Sequence, residues 1–485
     1  MPTRTHATTR RLVTSVALLA ATASLSAPAE ERRESFDKDP RWDGHNNRSV
    51  APETIRQDFG WSRGTMHAGG QAGEIGGLMM PTAEPAWYAK PLPVRTFDDV
   101  LAASGTLFVE PGAGNALIGF FNADTAKEWR TANSLVWRIN PRGETFDCHF
   151  EYGTAKWRAS AGIIGVYDKV RDRMHPKALA CGRPFAWSIR YDPRGNGGNG
   201  LITATMGDDT AVCALAPGHK ADGAAFNRFG LLNVIKSYDA PGTLWLDDVT
   251  INGAPEDFGR DPRWEAHGNR RTYQTRVVRP RFDFGYSPTH FAGGRGAGEL
   301  GGLVFRGDCR YGDRLAAYGD RLSTLTLERP LRASGKVSLR WGVSDSTTLI
   351  GFYHSAHSLW VNPSQQFGLP KDFLGLAIEG PSSEGFFFYP TYRINGDEGG
   401  HGVYAKPPYI YPDGATHDWT LAYEPSAAGG NARITVTLDG QSVSIELPSS
   451  HKALGAQFDR FGIVTPWIDG NGQDVYFDDL LYTCK

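Results

Sequence analysis

The feature that most constrains this chain is that it repeats itself. Asp39-Pro40-Arg41-Trp42, followed by His45, Asn47 and Arg48, returns as Asp261-Pro262-Arg263-Trp264, followed by His267, Asn269 and Arg270. Asp58-Phe59-Gly60-Trp61-Ser62 returns as Asp283-Phe284-Gly285-Tyr286-Ser287. Gly73-Glu74-Ile75-Gly76-Gly77-Leu78 returns as Gly298-Glu299-Leu300-Gly301-Gly302-Leu303, and Leu117-Ile118-Gly119-Phe120 as Leu349-Ile350-Gly351-Phe352. Late in each copy, Phe226-Asn227-Arg228-Phe229-Gly230 matches Phe458-Asp459-Arg460-Phe461-Gly462, and Leu244-Trp245-Leu246-Asp247-Asp248 matches Val475-Tyr476-Phe477-Asp478-Asp479. The order never changes. The copies lie about 220 residues apart, far beyond the spacing of solenoid repeats. The pattern predicts two duplicated modules, residues 34–253 and 256–485, joined by the turn-forming run Asn252-Gly253-Ala254-Pro255-Glu256. Residues kept by both copies point to roles both need, such as turns, core or metal.

Each module reads as β. Ser334 to Trp341 and Trp419 to Glu424 alternate with period two, as does Phe185 to Arg190. Ala432 to Leu447 is two alternating runs around Asp439-Gly440, a strong hairpin signal. No long amphipathic helix is evident. Short strands with frequent glycine turns predict a sandwich or jelly roll.

Residues 1–29 read as a signal peptide. Arg4, Arg10 and Arg11 precede the short apolar run Leu12 to Ala21, and Ala27-Pro28-Ala29 or Ala21-Thr22-Ala23 supplies a cleavage site. The run is too short to span a membrane. The expectation is a secreted or periplasmic protein. A net charge of −2 offers no basic face for nucleic acid. None of Cys148, Cys181, Cys213, Cys309 and Cys484 sits in a Cys-x-x-Cys pair, which disfavours a zinc ribbon. Export permits disulfides. First and last strands of a sandwich are often neighbours, so a Cys309–Cys484 bridge is expected, with two of the other three cysteines paired. Buried free thiols are the alternative.

The progression of strand, Asp-Gly hairpin, Phe-x-Arg-Phe-Gly and a final aromatic-x-Asp-Asp strand resembles the concanavalin A-like (laminin-G-like, lectin/glucanase) jelly rolls. It covers nearly all of both modules. The two-module pattern also resembles secreted bacterial proteins with the same Trp-x-x-His-x-Asn-Arg and Gly-Glu-Ile/Leu-Gly-Gly segments, whose activity is not established. The resemblance implies an all-β chain of two tandem concanavalin A-like sandwiches and a polysaccharide or oligosaccharide partner. It also implies a structural calcium ion held by an aspartate of the last strand, beside the first. That assigns Asp248 and Asp479 to the metal, with Asp37, Asp39, Asp257 and Asp261 as possible helpers. Solvated strand-end carboxylates are the alternative reading.

The segments at the start of each module supply the other candidates. His45, Asn47, Arg48, Trp61, Glu74 and Asn269 suit sugar hydroxyls, through bidentate hydrogen bonds and ring stacking. His267, Arg270, Tyr286, His290 and Glu299 are the candidate catalytic residues. A lyase needs a base beside a uronate carboxylate and a cation to neutralise it. The same residues serve equally as a buried polar network tying the N-terminal segment to the sandwich.

Other chemistries lack their signatures. The glycines around Glu74 and Glu299 lack the Lys-Ser/Thr of a phosphate loop, and no Gly-x-Ser-x-Gly elbow occurs. No Glu-x-Asp-x-Glu run marks a glucanase strand. Glu379 with Glu384, or Glu144 with Glu151, remain as carboxylate pairs. Tyr404-Ala405-Lys406 followed by Tyr409 faintly resembles the Tyr-x-Lys strand of jelly-roll alginate lyases. The stretch from His354 to Tyr411, where the copies diverge most, is the expected place for a groove. The expectation is a carbohydrate-active protein that cleaves polysaccharide as a lyase or glycoside hydrolase. The alternatives are a non-catalytic lectin-like binder and a structural envelope protein.

Overall fold

The structure is a computed structural model that describes residues 30–127, 131–364, 368–401 and 408–485. The expected signal peptide lies outside these residues, as do Tyr404, Ala405 and Lys406.

The described chain is almost entirely antiparallel strand. Four large sheets stack as two sandwiches around two apolar cores. The first sandwich has one sheet in the order 209–214, 201–206, 184–192, 101–109, 242–251, 74–79, 53–62 and 270–275. Its other sheet runs 159–163, 145–153, 134–142, 116–121, 225–233, 87–96 and 265–267. The second sandwich repeats the plan. One sheet runs 283–287, 299–305, 472–483, 331–342, 416–424, 432–438 and 441–447. Its other sheet runs 43–45, 317–326, 457–464, 346–353, 373–380, 386–393 and 399–401. Alternation explains the burial: within strand Thr145–Gly153, Phe146, Cys148, Phe150 and Tyr152 enter the core while Asp147, His149 and Glu151 face outward. The expected hairpin forms as read. Asp439 and Gly440 both take positive φ, 48° and 81°, the left-handed pair that a two-residue turn requires. Among the described residues the longest α-helix is Ser449–Leu454.

The repeated Asp-Pro-Arg-Trp segments do not stay with the sandwich that each heads in sequence. Strand Glu31–Glu34 pairs with the chain's last strand, Glu31 opposite Thr483, and Asp43–His45 pairs with Ala317–Gly319. Phe36 and Trp42 enter the second core, where Trp42 packs edge-on against Phe36 at 5.2 Å and Tyr482 at 6.1 Å. The second copy does the reverse. Strand Arg270–Thr275 pairs with Glu53–Asp58, Glu265–His267 with Trp87–Ala89, and Phe258 and Trp264 enter the first core. The second segment thus closes the first sandwich, and the N-terminal segment closes the second.

This arrangement explains the cysteines, all of which are free. The slot beside the last strand is filled by the N-terminal segment, and the Cys484 amide donates to Glu30 O at 2.8 Å. Cys309 lies in a separate small cluster with Leu315 and Trp467. The expected Cys309–Cys484 bridge does not form, and no pair forms among Cys148, Cys181 and Cys213.

The sandwiches meet at a polar seam. Arg158 Nη1 bonds Glu384 Oε2 at 2.9 Å, and His219 Nε2 lies 3.1 Å from Glu384 Oε1. Tyr152 sits 2.9 Å from His219 Nδ1. Burial pushes the His219 pKa below its usual value, with the Glu384 hydrogen bond pulling the other way. The imidazole is therefore neutral, donating to Glu384 and accepting from Tyr152.

Two outcomes follow. Trp42→Ala removes a core ring and should destabilise the second sandwich by about 3–5 kcal/mol in urea unfolding. Below the usual imidazole pKa of about 6.5 the unfolded chain binds a proton that folded His219 resists, so stability falls as pH drops through that range. His219→Gln should flatten that fall between pH of about 7 and 5, read by urea unfolding at each pH.

Candidate functional site

The sequence-derived residues fall into two reciprocal sets. Asn47 and Arg48 grip the second sandwich: Asn47 Nδ2 donates to Phe284 O at 2.6 Å, and Arg48 Nη2 to Tyr286 O at 2.6 Å. Arg48 also pairs with Asp283 at 2.5 Å. Asn269 and Arg270 grip the first sandwich in the same way, donating to Phe59 O at 2.5 Å and Trp61 O at 2.6 Å. Trp61 Nε1 donates to Phe258 O at 2.8 Å, and His267 stacks on Trp87 at 5.3 Å. His45 is exposed at the end of its short strand. His267 and Arg270 therefore belong to a different sandwich from Tyr286, His290 and Glu299. The candidate catalytic five are not one constellation.

Glu74 and Glu299 are fully buried turn anchors. Glu299 accepts from the Phe291 and Ala292 amides at 2.8 and 2.7 Å and from Thr289 Oγ1 at 2.6 Å. Glu74 accepts from the His67 and Ala68 amides and faces His67 Nδ1 at 2.6 Å. Each carboxylate ties down a glycine-rich loop. His290 is exposed on the loop held by Glu299.

Those loops press on the Asp-Asp pairs. Asp248 and Asp479 take left-handed φ, 53° and 48°, in a bulge that breaks strand alternation. The first aspartate of each pair turns inward. A Cβ added to Gly69 would collide with Asp247 Oδ2, and one added to Gly294 with Asp478 Oδ2. Asp478 Oδ2 and Asp479 Oδ1 are buried and have no hydrogen-bond partner. Burial, with Asp479 and Glu299 close by, pushes the Asp478 carboxyl up to about 7. Asp248 instead accepts from Thr106 Oγ1 at 3.2 Å near the surface. Among the described residues no group of three or more His, Cys, Asp or Glu side chains gathers as metal ligands. The donors present are hard oxygens, two of them orphaned, against a loop backbone. They fit calcium if main-chain carbonyls complete the shell.

A groove lies elsewhere, on the outward face of strands Ser346–Tyr353, Phe373–Gly380 and Phe386–Arg393. Its volume is about 410 Å³ and most of its lining comes from the stretch between His354 and Tyr411. Glu379 accepts from Arg306 Nη2 at 2.6 Å and from the Tyr389 hydroxyl. Thr347 Oγ1 sits 3.4 Å from Glu379 and accepts from Arg306 Nε at 2.8 Å. Arg393 donates to Asp397 at 2.8 Å and to Leu369 O at 2.7 Å, and lies 4.9 Å over the Trp467 ring. Trp360, 46% exposed, meets Trp467 edge-on. Ile468 and Pro466 give the wall an apolar part. Of these, Glu379 and the stretch itself were visible in sequence. Arg306, Tyr389 and Arg393 were not, because they stand on an ordinary alternating strand or in a loop.

The first sandwich carries a polar face at the same lattice positions. Leu117 pairs with Arg138 and Arg138 with His149, just as Leu349 pairs with Ala377 and Ala377 with Tyr389. Asn140 Nδ2 donates to Asp147 Oδ1 at 2.8 Å, and Arg142 Nε meets Asp147 Oδ2 at 2.8 Å. His149 Nε2 lies 3.8 Å from Glu151 Oε2. The signal for this face was present in sequence as Asp147-x-His149-x-Glu151, three titratable residues at alternate positions. Its central histidine departs from an all-acid strand.

No protein-family model matches the chain, and no curated protein matches it. Among solved structures the chain is similar to domains LG4–5 of the mouse laminin α1 chain, at 13% identity and TM-score 0.23, covering 85% of this chain and 91% of that one. It is similar to the Emp47p carbohydrate recognition domain at 8% identity and TM-score 0.27, covering 41% and 88%. It is similar to an endo-1,3-β-glucanase from Streptomyces sioyaensis at 9% identity and TM-score 0.22, covering 38% and 90%.

Proposed function

We propose that the chain is an exported carbohydrate-active protein whose sugar chain lies in the groove of the second sandwich. The observation that carries this reading is the groove's composition on a rigid sheet. Arg306 and Arg393 donate, Glu379 and Asp397 accept, and the hydroxyls of Tyr389, Thr347 and Thr391 do either. Sugar hydroxyls need both kinds of partner at once. Ile468, Leu369 and Pro466 offer an apolar surface to the ring carbons, and the volume suits a small-ligand site. Placement of Thr347, Glu379, Tyr389, Thr391 and Arg393 on strands favours preorganised contacts.

The further reading is cleavage of the bound polysaccharide. It rests on Tyr389, whose hydroxyl donates to a carboxylate already held by Arg306. Such a pair can pass a proton to or from a bound sugar. Binding without cleavage is favoured by a different observation: Glu379 and Asp397 both have arginine partners, so neither carboxylate is poised over open space.

Calcium, in this reading, ties the glycine-rich loop to the last strand through Asp478 and Asp479. It supplies charge and rigidity to the sandwich and takes no part in chemistry.

A polysaccharide panel of laminarin, alginate, pectate and xylan tests the function, read for new reducing ends and for the ultraviolet absorbance of unsaturated ends. Cleavage by the wild type and its loss in Tyr389→Phe is the expected outcome. A glycan-dependent rise in melting temperature without products supports the binder, and neither signal with any glycan removes the proposal. Calcium should raise the melting temperature and a chelator lower it, with both shifts gone in Asp478→Asn. Insensitivity of the wild type to both would exclude the metal.

A further inference from the structure

We propose that a cavity at the junction of the two sandwiches, with Trp341 and Tyr476 beside the carboxylate of Asp474, binds a small alkylated ammonium ion. The cavity belongs to the sheet of the second sandwich opposite the groove, and the two share no lining residue.

Strand Gly472–Thr483 supplies the acid and one ring. Alternation sends Val475 and Phe477 into the second core and turns Asp474 and Tyr476 to the outer face. The neighbouring strands set Trp341 and Leu303 opposite Asp474. The Tyr476 ring lies against Gly301, where an added Cβ would collide with its Cδ1. Other lining residues come from the first half of the molecule and from the crossing chain. Past strand Arg270–Thr275 of the first sandwich, Arg276 and Val277 lead toward the second, and Tyr238 donates its amide to Val277 O at 2.9 Å. Ala83 belongs to the first sandwich. The enclosed space is about 360 Å³. Ligand sites favour such junctions.

Asp474 sets the sign of the ligand. Burial pushes its carboxyl above the usual carboxylate value, against the pull of the hydrogen bond from the Tyr476 hydroxyl. Arg340 pulls the same way as Tyr476, but its guanidinium stacks on Phe291, 3.5 Å from the ring centre, and makes no salt bridge with Asp474. A carboxylate withdrawn from water without a cation is costly, and a positively charged ligand offsets that cost. Asp283, the other acid of the lining, is already paired with Arg48 at 2.5 Å. A hard metal ion would want six or more oxygens, which two carboxylates do not supply. Aromatic faces attract a diffuse cation instead, and an alkylated nitrogen also presents carbon to Val277, Leu303 and Ala83.

The fold does not demand this set. The matching positions of the first sandwich hold Thr243 for Asp474 and Pro111 for Trp341. There Trp245, the counterpart of Tyr476, donates to Glu110 at 3.1 Å and stacks on His67 at 4.8 Å. The acid and the indole belong to the second copy alone, at the place where the cavity opens.

The test is saturation-transfer NMR of the purified full chain, titrated with tetramethylammonium chloride and with tert-butanol, a neutral probe of similar shape. The cation should bind at least about tenfold more tightly than the alcohol. Asp474→Asn keeps the shape and removes the charge, so it should weaken the cation at least about tenfold and leave the alcohol unchanged. Trp341→Leu should weaken the cation about tenfold. Arg276 is exposed and is the one lining residue with the ligand's own sign, so Arg276→Gln should tighten binding, which a folding defect would not do. Circular dichroism and melting temperature check the folding of each variant. Should Asp474→Asn not fold, Asp474→Thr takes its place, since the first sandwich folds with threonine there. No binding of tetramethylammonium overturns the proposal, as do equal affinity for the two probes and cation binding unchanged without the Asp474 carboxylate.

Discussion

The structure depends on how the last strand of each sandwich is covered. Strand Gly472–Thr483 lies in the middle of its sheet for most of its length, but its C-terminal end, Leu480 to Thr483, needs a further neighbour. Glu31–Glu34 supplies it, and Phe36 and Trp42 then fill the core behind. In the first sandwich the chain simply continues past Ile251, and Ala254–Pro255, Phe258 and Trp264 do the same work. The two copies of the segment thus exchange places, each completing the sandwich of the other copy. The result joins residues more than four hundred positions apart, and it makes the stability of the second sandwich depend on Glu31–Glu34, Phe36 and Trp42.

That closure engages the opposite sheets only lightly. The sheets that hold the groove and the Asp147–Glu151 face take only a short strand from the exchanged segments, at one edge. Their outward faces are built on strands of matching register, so one lattice presents two sets of side chains. The Asp-Asp bulge, the loops anchored by Glu74 and Glu299, and the asparagine clamps belong to the closing region instead. Their occurrence in both copies follows from that shared duty.

Much of the architecture was legible. The Asp439-Gly440 hairpin and the alternating strands each reflect a local rule, and each formed as expected; the module bounds of 34–253 and 256–485 did not anticipate the exchange of residues 31–45 and 254–275. The Cys309–Cys484 bridge failed because sequence shows which residues are alike but not which copy a segment serves. Asn47 and Asn269 look like sugar ligands in sequence; only the exchanged pairing reveals that each caps a carbonyl of the other half. The groove region was marked by divergence, yet Arg306, Tyr389 and Arg393 carry no motif, because a pleated strand displays any residue at every second position.

The most direct measurement is hydrogen exchange by mass spectrometry across residues 30–48. If this segment closes the second sandwich, its amides exchange together with those of Gly472–Thr483 and slow or hasten with them as urea rises, because both belong to one cooperative unit. Fast exchange of residues 30–48 while the last strand stays protected would contradict the exchanged closure on which the account rests.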